Sequence, residues 1–469
     1  MPRSAKKKSQ TAESATTTTK RERGAALPVA GVVVAGIAGV FIRGWRPAGG
    51  QSGAEHLAEL AGDGGWSQNA TFAALHHVDC SIERRPNLTA AEFEAEFYAV
   101  GRPVVFRNEH ANSVLLQALS QKQLRREYGG MSISAGQSAA YTRSSKVSST
   151  MSLEGFLDAM VAVPPPDLYM FETSDFMQRC RHSHGSTPMD GYQPPSQIRQ
   201  DHLTTQIVDG AARLAIGPEG TGTSFHMHGV TFAQLFFGLK RWSLYGPGAS
   251  PRSGYNPDAS HTDWLREVYP TLSVSERPLE CVQTPGDVLF IPDGWEHATL
   301  NLGQTVAAAF EAPPTPGSAQ QLFEEARDAL IGGSLGKKGK RKAAKMMEKA
   351  ARFNPTSAHY WNGLSNAHAE LGDSKASLEA ALSAVQSNPR DVQQHALLAH
   401  AYLDLGRLAD ALAALKTANV SSVHEESGKS LRAPLARLAN EWRGTQHEGK
   451  LRRLVAEWRK VGFEAGAAL

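Results

Sequence analysis

Cysteine is scarce in this chain: Cys80, Cys180 and Cys281 are the three among 469 residues, and no two are spaced as CxxC. That spacing excludes a zinc ribbon. It leaves room for one disulfide in an oxidising compartment, with one thiol over, and does not say which two would pair. Charge of one sign is scarce as well. Forty-nine basic residues against 46 acidic give a net charge of +3, which by itself argues neither for nor against nucleic acid. The basic residues gather at two places, Arg3 to Arg23 and Lys337 to Lys349; the second has the composition of a solvated helix face. No chromatin-reading zinc finger is present, so a nucleic-acid partner is not expected.

At this length two or three units are expected rather than one core. Residues 1–26 are polar, with seven basic and two acidic residues, and have the composition of a disordered tail. Leu27 to Ile42 then form one uncharged apolar run. It is slightly short for a spanning helix, but thinner bilayers of the early secretory pathway accept it. Three readings compete for the run: a signal-anchor with the basic tail in the cytosol, a cleaved signal peptide, and an organelle transit peptide. Seven basic residues before the run, against Arg43 and Arg46 just after it, favour the anchor. No small-X-small cleavage site precedes those arginines. The expected placement is therefore a single-pass protein of the endoplasmic reticulum or Golgi with its remaining domains in the lumen. A soluble luminal or secreted form, or an imported one, is the alternative. The triplets Asn69-Ala-Thr71, Asn87-Leu-Thr89 and Asn419-Val-Ser421 fit N-glycan acceptors and agree with a luminal location.

Residues 43–65 read as a Gly- and Ala-rich linker, with a short helix at Glu55 to Ala61. From Trp66 the pattern changes. Thr89 followed three residues later by Glu92 is a capping box opening a helix to Tyr98. Arg102 to Phe106 reads as a strand, Leu115 to Tyr128 as a helix, Ser132 to Ala139 as a strand, and Ser152 to Val161 as a capped helix. Cys180 to Pro195, which holds His182 and His184, reads as a loop. After Pro313-Pro-Thr-Pro316 the sequence turns helical and Ala-rich. Pro355 and Pro389, each preceded by Asn, are separated by one tetratricopeptide period. Trp361, Leu364, His368, Ala384 and Pro389 fall in that frame, and His395, Leu398, Ala399, Tyr402, Ala411, Leu415 and Ala418 repeat it. A degenerate first repeat spans about Glu324 to Thr356, its first helix weakened by Gly332 to Gly336. An all-α repeat array over 324–425, closed by helices in 426–469, would present a concave face to a protein partner.

Three histidines carry the chemistry. His226 and His228 flank one residue in Thr223-Ser-Phe-His-Met-His-Gly229, and His297 follows in Gly286-Asp-Val-Leu-Phe-Ile-Pro-Asp-Gly-Trp-Glu-His-Ala-Thr-Leu-Asn-Leu302. If these stretches are strands, alternation puts His226 and His228 on one face, and His297 completes a facial set of three imidazoles. Between them Phe232 to Pro247 reads as a strand, a turn at Gly238 and a strand carrying Lys240. Pro285-Gly286-Asp287 is a turn feeding a strand, Val288 to Ile291. This is the layout of a double-stranded β-helix, or jelly roll, of the cupin class over residues 66–315. The expected whole is a multidomain α+β chain, a jelly roll followed by an all-α repeat array.

The stretches Phe225-His-Met-His-Gly229, Gly238-Leu-Lys-Arg-Trp-Ser-Leu-Tyr245, Trp264-Leu-Arg-Glu-Val-Tyr-Pro270, Arg277-Pro-Leu-Glu-Cys281 and His297-Ala-Thr-Leu-Asn-Leu302 resemble the JmjC family of oxygenases. The resemblance runs roughly from Trp66 to Pro314. It implies Fe(II) held by His226, His228 and His297, and 2-oxoglutarate as cosubstrate. Lys240, on the strand that returns past His226, matches the cation that anchors the distal carboxylate; Thr223 matches an assisting hydroxyl. Asn301 shares strand parity with His297 and Thr299 and is a further pocket candidate. Trp242, Trp295, Phe236 and Tyr245 read as core or pocket wall. Asp293 and Glu296 are the acids nearest His297, but neighbours on a strand point to opposite faces. The chain departs from the family at His228, where Asp or Glu is usual. Three neutral imidazoles still suit Fe(II) or Zn(II). Two functions follow: an Fe(II)- and 2-oxoglutarate-dependent hydroxylase of a protein side chain, or a catalytically silent JmjC-like module acting through its repeats. Histone demethylation fits poorly with the apolar N-terminus.

Overall fold

A computed structural model describes residues 63–68, 78–108, 110, 113–137, 149–172, 174–198, 213–249, 259–312, 314–315, 317–333, 335–418, 430–445 and 447–460. The basic tail, the apolar run, the helix expected at 55–61 and two of the three glycan triplets lie outside these residues. Among the described residues no helix is long and apolar enough to cross a membrane.

The N-terminal layer is helical. Helix α1 (Ala90–Phe93) starts at Thr89, whose side chain and that of Glu92 complete the expected capping box. It continues as a π-helix, Glu94–Tyr98. The expected helix at 115–128 is two, α2 (Ser113–Ala118) and α3 (Gln121–Tyr128), because Ser120 leaves the helix and caps the second. Helix α4 (Leu153–Ala159) is capped by Ser152.

One expectation fails in this layer. Helix α5 (Ser174–His184) carries His182 and His184 in its last turn, in place of the expected loop. Phe176, Met177 and Cys180 fall on one buried face at helical spacing. The loop chemistry takes over only at Gly185, whose φ of +71° ends the helix.

Among the described residues eleven strands form two antiparallel sheets. The larger has the order β1 (Val104–Arg107), β9 (Asp287–Ile291), β6 (Thr231–Phe237), β11 (Thr305–Glu311), β5 (Arg213–Gly217), β4 (Tyr169–Glu172), β2 (Ser132–Gly136), β3 (Ser149–Ser152). The smaller is β10 (Glu296–Asn301), β7 (Lys240–Tyr245), β8 (Leu279–Gln283). Every residue of β6, β7 and β9 is buried, because each strand is covered on both faces. The outer face of the large sheet meets the helical layer. There Phe93 lies 5.0 Å from Phe290 edge to face, beside Phe106 and Phe232. Each such ring contributes on the order of 1.5–3 kcal/mol by burial. The inner face carries Ala215, Ala233 and Ala307 with Leu235 and Tyr169. Helix α6 (His261–Glu267) covers the outside of the small sheet through Trp264 and Leu265, against Phe225 and Leu300.

Cys80 and Cys281 form a disulfide, tying the N-terminal segment to β8 across 201 residues of sequence. Cys180 is buried in the helical layer.

The C-terminal part is helical: α7 (Ala319–Ile331), α8 (Lys337–Phe353), α9 (Ala358–Glu370), α10 (Ser374–Ser387), α11 (Val392–Asp404), α12 (Leu408–Thr417), α13 (Arg432–Trp442) and α14 (Glu448–Lys460). The first residues of α9 and α11, Ala358 and Val392, keep the spacing of Pro355 and Pro389, and so do those of α10 and α12, Ser374 and Leu408. Gly332, Gly333, Leu335 and Gly336, expected inside a weakened first helix, instead fall between α7 and α8. The two regions meet at Asn354, whose side-chain oxygen accepts from the Gly248 amide at 3.2 Å, and at Thr356, whose hydroxyl reaches the Ala249 carbonyl at 3.3 Å.

Candidate metal centre

The segment before β6 runs extended along β10. Asn301, Thr299 and His297 donate their amides to the carbonyls of Thr221, Thr223 and His226 at 2.8, 2.9 and 2.9 Å, and the His226 amide returns a bond to His297 at 3.1 Å. The expected His-X-His strand is thus not a full ladder strand. His226 makes one isolated bridge with His297, and the chain leaves the sheet before His228. Gly229 allows that exit, since a Cβ there would stand 2.9 Å from the Ala312 carbonyl. Alternation across this short piece still holds. His226 and His228 turn inward, while Met227 packs on the cluster of Phe323, Met347 and Tyr360 in the helical region.

The three imidazoles converge. Ring centroids lie 4.3 Å apart for His226 and His297, 4.8 Å for His228 and His297, and 5.2 Å for His226 and His228. One ligand nitrogen from each falls within 4.8 Å of the other two, and among the described residues no other such group of His, Cys, Asp or Glu occurs. Each ring is oriented by a backbone carbonyl. His226 Nδ1 meets Ser224 O at 2.8 Å, His297 Nδ1 meets Trp295 O at 2.9 Å, and His228 Nδ1 meets Gly229 O at 3.1 Å. A carbonyl only accepts, so each Nδ1 carries the proton and each Nε2 keeps its lone pair.

Burial, with the neighbouring imidazoles, holds His297 well below the usual histidine range. Burial and then His228 hold His226 down to about 4, against Ser224 and Glu311, which oppose the shift. Burial and Arg213 do the same for His228, also to about 4. All three are neutral donors at neutral pH. Three fixed Nε2 donors that leave further positions open fit a divalent transition metal such as Fe(II).

The remaining sequence candidates lie on the same side of the small sheet as His297. The β10–β7 register sets Asn301 opposite Lys240 and Thr299 opposite Trp242, so His297, Thr299, Asn301 and Lys240 share the inner face. Lys240 is 2% exposed, and its Nζ donates to Asn301 Oδ1 at 2.6 Å and to the Tyr169 hydroxyl at 3.4 Å. Burial alone pushes its ammonium down to about 7. Thr223 donates its amide to Thr299 Oγ1 at 2.9 Å, with the two hydroxyls 3.1 Å apart. Trp242 stacks obliquely 6.2 Å from His297 and belongs to the pocket wall; Phe236 belongs to the outer core. Glu296 pairs across from Tyr245 on the face opposite His297, and burial pushes its carboxyl up to about 8 and that of Asp293 up to about 6.

Two residues near the site gave no sequence signal. Glu311 Oε1 lies 3.8 Å from His228 Nε2, and its Oε2 pairs with Arg213 at 3.0 Å. Both reach the inner face because β11 places Glu311 opposite Thr231 and Ala309 opposite Arg213.

Comparison with known proteins agrees with this architecture. A cupin-like domain family matches residues 90–310. JmjC domain-containing protein 8 of Mus musculus is 31% identical over 253 residues, covering 53% of this chain and 90% of that protein. Lysine-specific demethylase JMJ21 of Arabidopsis thaliana is 29% identical over 259 residues, 51% of this chain and 26% of its own. The 2-oxoglutarate and iron-dependent oxygenase JMJD4 of Gallus gallus is 32% identical over 131 residues, 25% of this chain and 31% of its own. With a cupin-like domain matched over residues 90–310 and a relative matched across nine-tenths of its length, the chain belongs to the cupin-like JmjC family.

Proposed function

We infer that this protein is an Fe(II)- and 2-oxoglutarate-dependent oxygenase that hydroxylates a protein side chain in the secretory pathway. The observation that carries the reading is three carbonyl-oriented imidazoles on the same inner side of the fold as a buried lysine cation. When bound, iron and 2-oxoglutarate supply the oxidation: one oxygen atom of O2 enters succinate as CO2 leaves, and the other enters a substrate C–H bond. The Nε2 atoms of His226, His228 and His297 hold the metal. Lys240 receives the distal carboxylate, a charge-assisted contact at a buried cation. Asn301 and Tyr169 fix the ammonium in place, and the Thr223–Thr299 hydroxyl pair would assist in holding the cosubstrate. The name of one relative, a 2-oxoglutarate and iron-dependent oxygenase, supports the cofactors, and that of another, a lysine-specific demethylase, supports a protein side chain as the substrate class.

The helix pairs, offset by one repeat length, support a tetratricopeptide array that binds a protein partner or substrate. A cleft of 570 Å³ lies on that region, lined by Phe323, Ile331, Lys340, His359, Asn362 and Glu370. The Cys80–Cys281 disulfide and the exposed position of Asn87 support an oxidising, glycosylating lumen.

The test is release of labelled CO2 from 2-oxoglutarate by the full chain with Fe(II) and ascorbate. Turnover is expected. The imidazole at His228, where relatives of this type more often hold a carboxylate, favours a second reading, a silent binding module. Metal and cosubstrate binding without turnover, with His228→Asp gaining it, would establish that alternative.

A further inference from the structure

We propose that Glu311 supplies the carboxylate that the His-X-His motif lacks, acting as a fourth protein ligand of the metal from the end of β11. This inference rests on the metal-site reading above. Three neutral imidazoles leave a divalent ion with its full +2 charge inside a largely apolar barrel. A carboxylate within reach lowers that charge and tightens binding.

Glu311 is placed for this. Its Oε1 lies 3.8 Å from His228 Nε2, the one ring nitrogen of His228 that no backbone group occupies. Ligand atoms each about 2.0–2.2 Å from one ion stand roughly 3.0–3.5 Å from each other. Oε1 therefore stands close to that spacing from His228 Nε2, one of the three donor nitrogens. The other oxygen is already committed: Oε2 pairs with Arg213 at 3.0 Å, which leaves Oε1 as the oxygen turned toward the imidazoles.

The local sequence builds this arrangement. The Glu311–Thr231 register sets the acid beside the residue whose hydroxyl contacts His228 Nδ1 at 3.1 Å, so Glu311 and Thr231 hold His228 between them. Arg213, across from Ala309, is steadied over the Phe171 ring at 5.5 Å and serves as the positioning residue for the carboxylate. The carboxylate lost from the motif thus returns from a different strand.

Co(II) titration of the metal-free full chain tests this, following both affinity and visible absorption bands. Glu311→Gln keeps the volume of the side chain and its bond to Arg213. It should weaken Co(II) binding by about 10- to 100-fold and alter the band pattern as the ligand set changes. Glu311→Asp, which keeps the charge and withdraws it by one methylene, should fall between. In a His228→Asp background a carboxylate is back in the motif, so Glu311→Gln should then cost less than about threefold. Unchanged affinity and spectrum in Glu311→Gln, or an equal loss in both backgrounds, would overturn the proposal while the three-imidazole site stands. Absence of Co(II) binding by the natural chain would overturn both.

Discussion

The Lys240 ammonium nitrogen lies 2.6 Å from the Asn301 side-chain oxygen, with the two residues 2% and 0% exposed. A cation is held inside the barrel by a neutral amide and a phenol. Such a group costs folding free energy, and a protein retains it where a ligand supplies the counter-charge. Lys240→Met removes that cost and keeps the side chain's bulk. The expected outcome is a Tm raised by a few degrees together with loss of 2-oxoglutarate binding, metal binding being retained. Calorimetry and a cosubstrate titration on one preparation check both; a lowered Tm would count against the argument.

The same lysine sets a pH dependence. Its folded-state value of about 7 lies below the ordinary 10.5. Between those values the unfolded chain holds the proton and the folded chain does not, so stability rises with pH from about 7 to 10.5. Below 7 both states are protonated and the burial cost is present in full. Binding of a dicarboxylate requires the charged form, so cosubstrate affinity should be level below pH 7 and fall by up to about tenfold per unit above it. Isothermal titration at pH 6.5, 7.5 and 8.5 checks this, with proton uptake at the higher values as its signature. A flat profile, in a protein that binds the cosubstrate, would show that Lys240 is not its anchor.

Much of this site was legible because local chemistry decides it. Thr89 and Glu92 announce a helix start by themselves, and the parity of His297, Thr299 and Asn301 follows from strand alternation. What stayed hidden depends on long-range register. Glu311 is an ordinary acid at a strand end until β11 pairs with β6, and nothing local says that it then faces His228. Cys80 reaches Cys281 only because the N-terminal segment runs beside β8, where the Ser81 amide donates to the Glu280 carbonyl at 2.8 Å. The loop reading at His182 and His184 failed for another reason. Polar composition outweighed the apolar spacing of Phe176, Met177 and Cys180, which burial turned into a helix face.

Met227 links the two regions, since alternation sends it outward between two inward histidines and onto Phe323 and Tyr360. A charge there would sit against an apolar cluster. Met227→Asp should destabilise the protein by roughly 1–3 kcal/mol and expose the segment between β11 and α7 to protease. Urea unfolding and limited digestion check it. Equal stability and equal digestion would show that the contact at Met227 does not hold the regions together.

The disulfide offers the most direct reading of where the chain folds. It closes a span of 201 residues between the N-terminal segment and β8, so its loss enlarges the unfolded ensemble considerably. Replacing Cys80 and Cys281 together by Ser should lower stability by about 2–5 kcal/mol. In the natural protein isolated without reductant, denaturation followed by thiol labelling should find one reactive thiol, that of Cys180, which is buried in the native helical layer. After reduction the count should rise to three. The link joins the covering segment to the same small sheet that carries Lys240 and His297, so reduction should loosen that sheet and weaken metal binding as well as stability. Three labelled thiols before reduction would mean the bond is absent from the native protein, and would remove the support it lends to an oxidising lumen.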